Sequence, residues 1–258
     1  AWGMGKHGAL GQRSLEDRMV PTPVEVLGHA ESLKKVGHAI SIAASDHSIA
    51  VTSRGTVYAW GLGTSGQLGL GDKLSHRKPR LIEGMREWHV IGASCGHEHT
   101  LLLTRDGVAF SFGQSMSGQL GHGAREAESV PRAVGTLQSK GRIAQVAAGG
   151  SHSLFLLEDG TVYSCGSSAF GALGQGGSTK EALVPKDLSG GFGIEKVMAI
   201  SAGFLHSIVV TMVGQTFTFG ANSWLQLGDT IHAYSSVPRL VYGLHAQTAR
   251  DIYRLAQH

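Results

Sequence analysis

The chain has 258 residues, with 38 Gly, 6 Pro, 2 Cys and a formal net charge of +3. Glycine at about twice its usual share, without a Gly-x-y period or abundant proline, excludes collagen and Pro/Gly-rich disorder; 16% charged against 41% apolar residues excludes a disordered polyelectrolyte. No apolar run reaches the ~18 residues of a membrane span, Ala1–Lys6 lacks the apolar core of a signal peptide, and the cations are too scattered for a nucleic-acid-binding stripe, the densest groups being Lys34-Lys35 and Arg77-Lys78 with Arg80.

In chain order, the first element is Trp2-Gly3-Met4-Gly5-Lys6-His7-Gly8-Ala9-Leu10-Gly11. It returns at Trp60-Gly61, Phe112-Gly113, Cys165-Gly166 and Phe219-Gly220, each time followed by Leu-Gly, with Leu225 replacing one glycine. The first glycines step by 58, 52, 53 and 54 residues. A proline follows each copy at 21, 79, 131, 185 and 238.

Next come His47-Ser48, His99-Thr100, His152-Ser153 and His206-Ser207, in phase with the first motif and each preceded by small residues. Short apolar runs follow (Ile49–Val51, Leu101–Leu103, Leu154–Leu157, Ile208–Val210), and then turns at Gly55, Gly107, Gly160 and Gly214. Short runs bounded by turns read as strands buried on both faces, and Gly accepts the positive φ of a hairpin turn. A strand follows each turn, at Thr56–Trp60, Val108–Phe112, Thr161–Cys165 and Thr216–Phe219, and another precedes each His, as in Ile143–Ala147. The proline segment supplies a fourth, edge strand. Four strands per ~53 residues is the pattern of a propeller blade, and this much internal glycine excludes a helical solenoid.

The repeats divide the chain near 1–35 (partial), 36–87, 88–140, 141–193, 194–245 and 246–258 (partial). The chain opens mid-motif, and Ile252–Ala256 matches Ile143–Ala147, so about four full blades with half-blades at the ends are expected, as a segment of a larger propeller or protein. The residues around Gly28–Gly37 read as a longer loop. Trp2 and Trp60 occupy the aromatic slot and are expected in the core. Cys95 and Cys165, 70 residues apart with no Cys-x-x-Cys, read as two reduced thiols of an intracellular protein, with one disulfide as the alternative.

The motifs offer little chemistry. The four motif histidines recur at blade period, which fits a repeated packing role better than a metal centre. Gly61-Leu62-Gly63-Thr64-Ser65-Gly66 has the spacing of a dinucleotide loop but joins strands, where that motif must join a strand to a helix. With no nucleophile elbow, P-loop or triad, no enzyme and no cofactor are expected.

The Trp-Gly-x4-Gly-x-Leu-Gly and Gly-x-x-His-Ser/Thr pair resembles the RCC1 repeat family, the regulator of chromosome condensation repeats, over nearly the whole chain. The resemblance implies an all-β fold, a β-propeller of four-stranded blades, seven in known members. It implies a protein-interaction scaffold, with a guanine-nucleotide exchange factor for a small Ran-like GTPase as the alternative; a propeller within a ubiquitin ligase is a third reading. The slot before each motif His holds Ser45-Asp46, His97-Glu98, Gly150-Ser151 and Phe204-Leu205. In the founding member acidic residues there face the GTPase, and Asp46 and Glu98 match them; the slot lacks the tryptophans of a light-sensing member. The founding member's β-wedge insertion and basic tail have no counterpart, so chromatin binding is not supported. Coming from equivalent positions, the eight residues are expected to line one face as a partner-binding arc that runs from acidic to apolar. The expected partner is a protein, and no membrane insertion is expected; cytoplasm and nucleus are not distinguished.

Overall fold

A computed structural model describes residues 1–24, 27, 34, 36–177 and 180–242. The match at Ile252–Ala256, the partial repeat 246–258 and most of the irregularity at Gly28–Gly37 lie outside the described residues. The described chain is all-β. Four antiparallel sheets of four strands each follow the sequence order: β1 (Ala39–Ala44), β2 (His47–Thr52), β3 (Val57–Gly61), β4 (His76–Leu81); β5 (Val90–Cys95), β6 (His99–Thr104), β7 (Ala109–Gly113), β8 (Glu128–Ala133); β9 (Ile143–Ala148), β10 (His152–Leu157), β11 (Val162–Ser167), β12 (Glu181–Asp187); β13 (Val197–Ala202), β14 (His206–Thr211), β15 (Thr216–Ala221), β16 (Tyr234–Leu240). These are propeller blades. β3, β7 and β11 begin one residue later than the turn pattern predicts. Pro79, Pro131, Pro185 and Pro238 lie on β4, β8, β12 and β16, the edge strands, where a missing N–H costs no ladder bond.

Two compact units divide the chain. One comprises Ala1–Met116 with Arg125–Gly135, the other Ser117–Ala124 with Thr136–His258. In the first unit Ile49, Val51, Leu68, Leu102 and Phe112 form the core, and Trp88 meets Phe110 edge-on with ring centroids 4.9 Å apart. In the second, Leu154, Leu156, Phe192, Val209 and Phe219 do the same. Each large apolar side chain contributes about 1.5–3 kcal/mol by leaving water. β2, β6 and β10 are buried along their whole length, as their unbroken apolar runs imply; β14 alternates between buried and half-buried instead.

One expectation fails. Trp60 is buried, its indole N–H donating to the Ala9 carbonyl at 2.8 Å, but Trp2 is 64% exposed. Gly3 bridges Arg18 as Gly61 pairs with His76, so the outer half of a blade is present. Among the described residues no strand covers Trp2 as β2 covers Trp60. An aromatic slot is core only when its own inner strands are packed on it.

β1 also departs from the other inner strands. Cys95, Ala148 and Ala202 pair with the Ser/Thr after the motif His, whereas in β1 it is Ala44, one residue later in the motif, that pairs with Ser48. The cause is steric. A Cβ on Gly149 or Gly203 would lie 2.1 or 2.0 Å from Cε1 of His152 or His206. Ala44 occupies that glycine slot, so the strand slides by one residue and the loop before His47 shortens. The slide places Ile42 opposite Ala50, where Ala93, Val146 and Ile200 stand in the other blades, and removes Ser41 from that position. A one-residue slip exchanges the two faces of a strand, yet Ile42 stays 78% exposed where Val146 and Ile200 are buried.

Candidate partner-binding loops

The loop before each motif His lies at the same end of its sheet as the loop after the following Gly. Backbone bonds tie the two: Leu62 N–H to the Asp46 carbonyl (3.0 Å), Gln114 to Glu98 (2.8 Å), Ser167 to Ser151 (2.8 Å) and Ala221 to Leu205 (2.8 Å). The glycines opening these second loops have φ near +100°, which Gly alone adopts without strain. The frame is therefore constant, and the variable residues stand on it.

In the first unit the carboxylate of Asp46 lies 3.7 Å from His97 Nε2, both about half exposed. The Ser65 hydroxyl donates to Glu98 Oε1 at 3.3 Å, and Ser45 is exposed, its N–H donating to the His47 carbonyl. The acidic pair predicted from the motif is thus brought to one loop end with an imidazole between blades. In the second unit Gly150 N–H donates to the Phe204 carbonyl at 2.9 Å, and a Cβ on Gly150 would meet the Phe204 ring at 3.1 Å. Phe204 lies over the bare Gly150 backbone, 61% exposed, with Ser151 and Leu205 half-buried beside it.

Sequence reasoning missed three residues of this loop end. Phe170, Trp224 and Leu225 are 51%, 89% and 58% exposed, and no charged residue occurs in 166–171 or 220–226. Phe170 and Trp224 occupy the slot that holds His7, Ser65 and Ser117 in the other copies, so comparing slots, as was done before the motif His, would have found them. Leu225 stands where Gly8, Gly66, Gly118 and Gly171 stand, and keeps their left-handed backbone at φ +59°.

His47, His99 and His152 are buried, and His206 is half-buried. His47 Nε2 meets Thr100 Oγ1 at 2.7 Å, and His152 Nε2 meets Ser207 Oγ at 3.0 Å, each joining one blade to the next within its unit. Burial lowers both imidazoles to about 4, the nearby Asp46 carboxylate opposing this at His47. Burial also pushes the Cys165 thiol up, and both cysteines are free. Among the described residues no group of three or more His, Cys, Asp or Glu could hold a metal ion, and no helix is long and apolar enough to cross a membrane.

The regulator of chromosome condensation (RCC1) repeat model matches residues 1–51, 54–103, 106–156 and 159–210. The human E3 ubiquitin-protein ligase HERC2 is 34% identical over 96% of this chain but only 5% of its own length. The ultraviolet-B receptor UVR8 of Arabidopsis thaliana is 30% identical over 96% of the chain and 54% of its own length, and human protein RCC2 is 30% identical over 80% and 44%. Among solved structures, human WBSCR16 superposes with a TM-score of 0.77 at 25% identity, covering 92% of this chain and 60% of that one. Prp20p of Saccharomyces cerevisiae, described with its binding to Gsp1p and histones, gives 0.77 at 25%, covering 90% and 55%. The chain therefore spans between a twentieth and about half of these curated relatives, and it belongs to the RCC1-repeat family.

Proposed function

We propose that this chain is a protein-binding module, acting within a larger protein, whose partner contacts are made by the loops bearing Ser45, Asp46, His97 and Glu98 in one unit and by those bearing Gly150, Ser151, Phe204 and Leu205 in the other. The observation that carries the reading is Phe204: a large aromatic held 61% exposed over a bare glycine, on a loop whose backbone bond to the following loop recurs from blade to blade. Rigid scaffolds with variable loops are where binding residues concentrate, and aromatics anchor interfaces. The test is affinity capture from lysate with the wild-type chain and with Phe204→Ala. Recovery of the same proteins at the same yield would reject the face.

The second reading is guanine-nucleotide exchange on a small Ran-like GTPase. It is favoured by Asp46 and Glu98 in the slot before the motif His and by the likeness to Prp20p. Exchange needs no covalent chemistry, only tighter binding of the nucleotide-free GTPase than of the loaded one. Release of a fluorescent guanine nucleotide from any captured GTPase, with and without the chain, decides it; an unchanged rate rejects exchange.

A further inference from the structure

The outer strand of the first blade is unlike the other three. β8, β12 and β16 carry Val130, Val184 and Val237 before their proline, and in β8 the cation after it is neutralised, Arg132 pairing with Glu128 at 2.7 Å. β4 reads His76-Arg77-Lys78-Pro79-Arg80-Leu81 and holds no carboxylate. Arg77, Lys78 and Arg80 are exposed, as are Lys73 and Lys6 nearby, and among the described residues none of the five has an acidic partner. The neighbouring carboxylates are engaged elsewhere: Asp72 with His76 at 3.2 Å, Glu83 with Arg86, and Asp17 with the Gly5 N–H at 2.8 Å.

The strand borders a groove. The N-terminal repeat loop packs on β4, with the Arg13 N–H bonded to the Arg77 carbonyl at 2.8 Å and Gly8 against the Arg77 backbone. Between them lies a cavity of about 510 Å³ lined by Lys6, His7, Leu15, Asp17, Ser75 and Arg77. His7 is held there at φ +57°, a left-handed conformation that costs about 1–2 kcal/mol outside glycine. Leu15, one of the lining residues, is 49% exposed, and Leu74, next to Ser75 in sequence, is 63% exposed.

We propose that this groove and β4 form a docking surface for an acidic peptide segment of a partner protein, one that combines several carboxylates with an apolar side chain. The cations supply charge complementarity, and Leu15 with Leu74 supply apolar contact. Six residues of β4 span ~20 Å, the reach of a short extended peptide. Nucleic acid fits less well: neither the groove nor the strand offers Phe, Tyr or Trp for base stacking, and the Asp17 carboxylate lies among the lining groups. The groove adjoins the first unit's loops, the Gly63 N–H donating to the Ser75 hydroxyl at 3.3 Å, but Arg77 and Lys78 are not among the residues proposed above, so variants of β4 and Phe204→Ala can fail independently.

The test is fluorescence anisotropy on the intact chain with a labelled peptide, Glu-Asp-Glu-Leu-Glu-Asp-Glu, its Gln/Asn isostere, and a single-stranded oligo-dT competitor. The acidic peptide should bind, weakening steeply with added salt because exposed charges are screened. Arg77→Glu with Lys78→Glu should lower its affinity about tenfold or more, and the milder Arg77→Gln with Lys78→Gln about threefold. Lys140→Glu, an exposed charge reversal of the same sign in the other unit, should change it less than about twofold. Equal binding of the isostere, unchanged affinity in both β4 variants, or displacement by oligo-dT at concentrations no higher than unlabelled peptide requires would overturn the proposal.

Discussion

His47 and Thr100, 53 residues apart, share a buried hydrogen bond of 2.7 Å, and the Thr100 hydroxyl donates in turn to the Gln67 carbonyl at 2.7 Å. A hydroxyl has one proton, so the histidine must be the donor in the first bond. His47 is therefore the neutral Nε2–H tautomer, and its Nδ1 is buried without a partner. The same chain runs from His152 through Ser207 to the Ala172 carbonyl. What repeats along the sequence as a His-Ser/Thr dipeptide is, inside each unit, a bond between its two blades.

Acid should break these links. Both imidazoles are lowered from 6.5 to about 4 by burial, so the unfolded chain takes up their protons first. Their contribution to stability is complete above pH 6.5 and is lost as pH falls from 6.5 to 4. At about 1.4 kcal/mol per pH unit each is worth up to roughly 3 kcal/mol. Urea midpoints measured from pH 7.5 to 4.5 should fall through that window, and His47→Gln with His152→Gln should flatten the fall. An unaltered slope in that variant would contradict the assignment.

Thr100→Val keeps the shape of the side chain but leaves the His47 N–H and the Gln67 carbonyl without it. Equilibrium unfolding should show a loss of about 1–3 kcal/mol. Thr100→Ser should stay close to wild type, since Ser48, Ser153 and Ser207 fill the same slot in the other blades. Equal loss in both variants would mean that the methyl, not the hydroxyl, matters.

Gly149→Ala tests the register of β9. The new Cβ would meet the His152 ring at 2.1 Å and the Gly203 carbonyl oxygen at 2.7 Å. Overpacking of this kind costs about 1–3 kcal/mol, and the thermal midpoint of the variant should fall accordingly. Ala44→Gly should change stability by less than about 1 kcal/mol, because Ala44 is exposed and a glycine in a strand costs only its extra backbone freedom.

These residues also show where sequence reading reaches its limit. Glycine turns, prolines on edge strands and the apolar runs of β2, β6 and β10 were legible because each reflects a local backbone or burial constraint repeated at one period. The slip of β1 was not, since it depends on a Cβ meeting an imidazole from another strand. Nor was the exposure of Trp2, whose motif is identical in kind to that of Trp60 and whose burial depends on strands beyond the motif. Asp46 and Glu98 were found because carboxylates beside a fixed His are conspicuous. Phe170 and Trp224 escaped because they stand inside a motif that reads as a tight glycine turn, although their slot holds His7, Ser65 and Ser117 in the other copies.

Leu225 carries backbone strain with little burial to offset it, at φ +59° and 58% exposed. Leu225→Gly, restoring the residue of the other copies, should raise stability by about 1 kcal/mol, as relief of a left-handed non-glycine residue predicts. If the exposed leucine is kept for contact, the same variant should bind captured partners more weakly. A variant less stable than wild type would show that the Leu225 side chain packs more than its exposure suggests.

Phe204, Asp46 and Glu98 should act on different steps of binding. Phe204 rests on Gly150 and presents most of its surface to solvent, so a partner that covers it removes a large apolar area from water. Truncating such an anchor costs about 1–3 kcal/mol, roughly a fivefold to hundredfold loss, mostly through faster dissociation. Asp46 and Glu98 are partly solvated, so their charges steer encounter more than they hold the complex. Surface plasmon resonance with a captured partner should show faster dissociation for Phe204→Ala at an unchanged association rate. Asp46→Ala with Glu98→Ala should show slower association, converging on wild type at high salt as the charges are screened. Since all three side chains are outside the core, thermal midpoints should stay near wild type. If the three substitutions leave both rate constants unchanged in folded protein, the partner binds elsewhere.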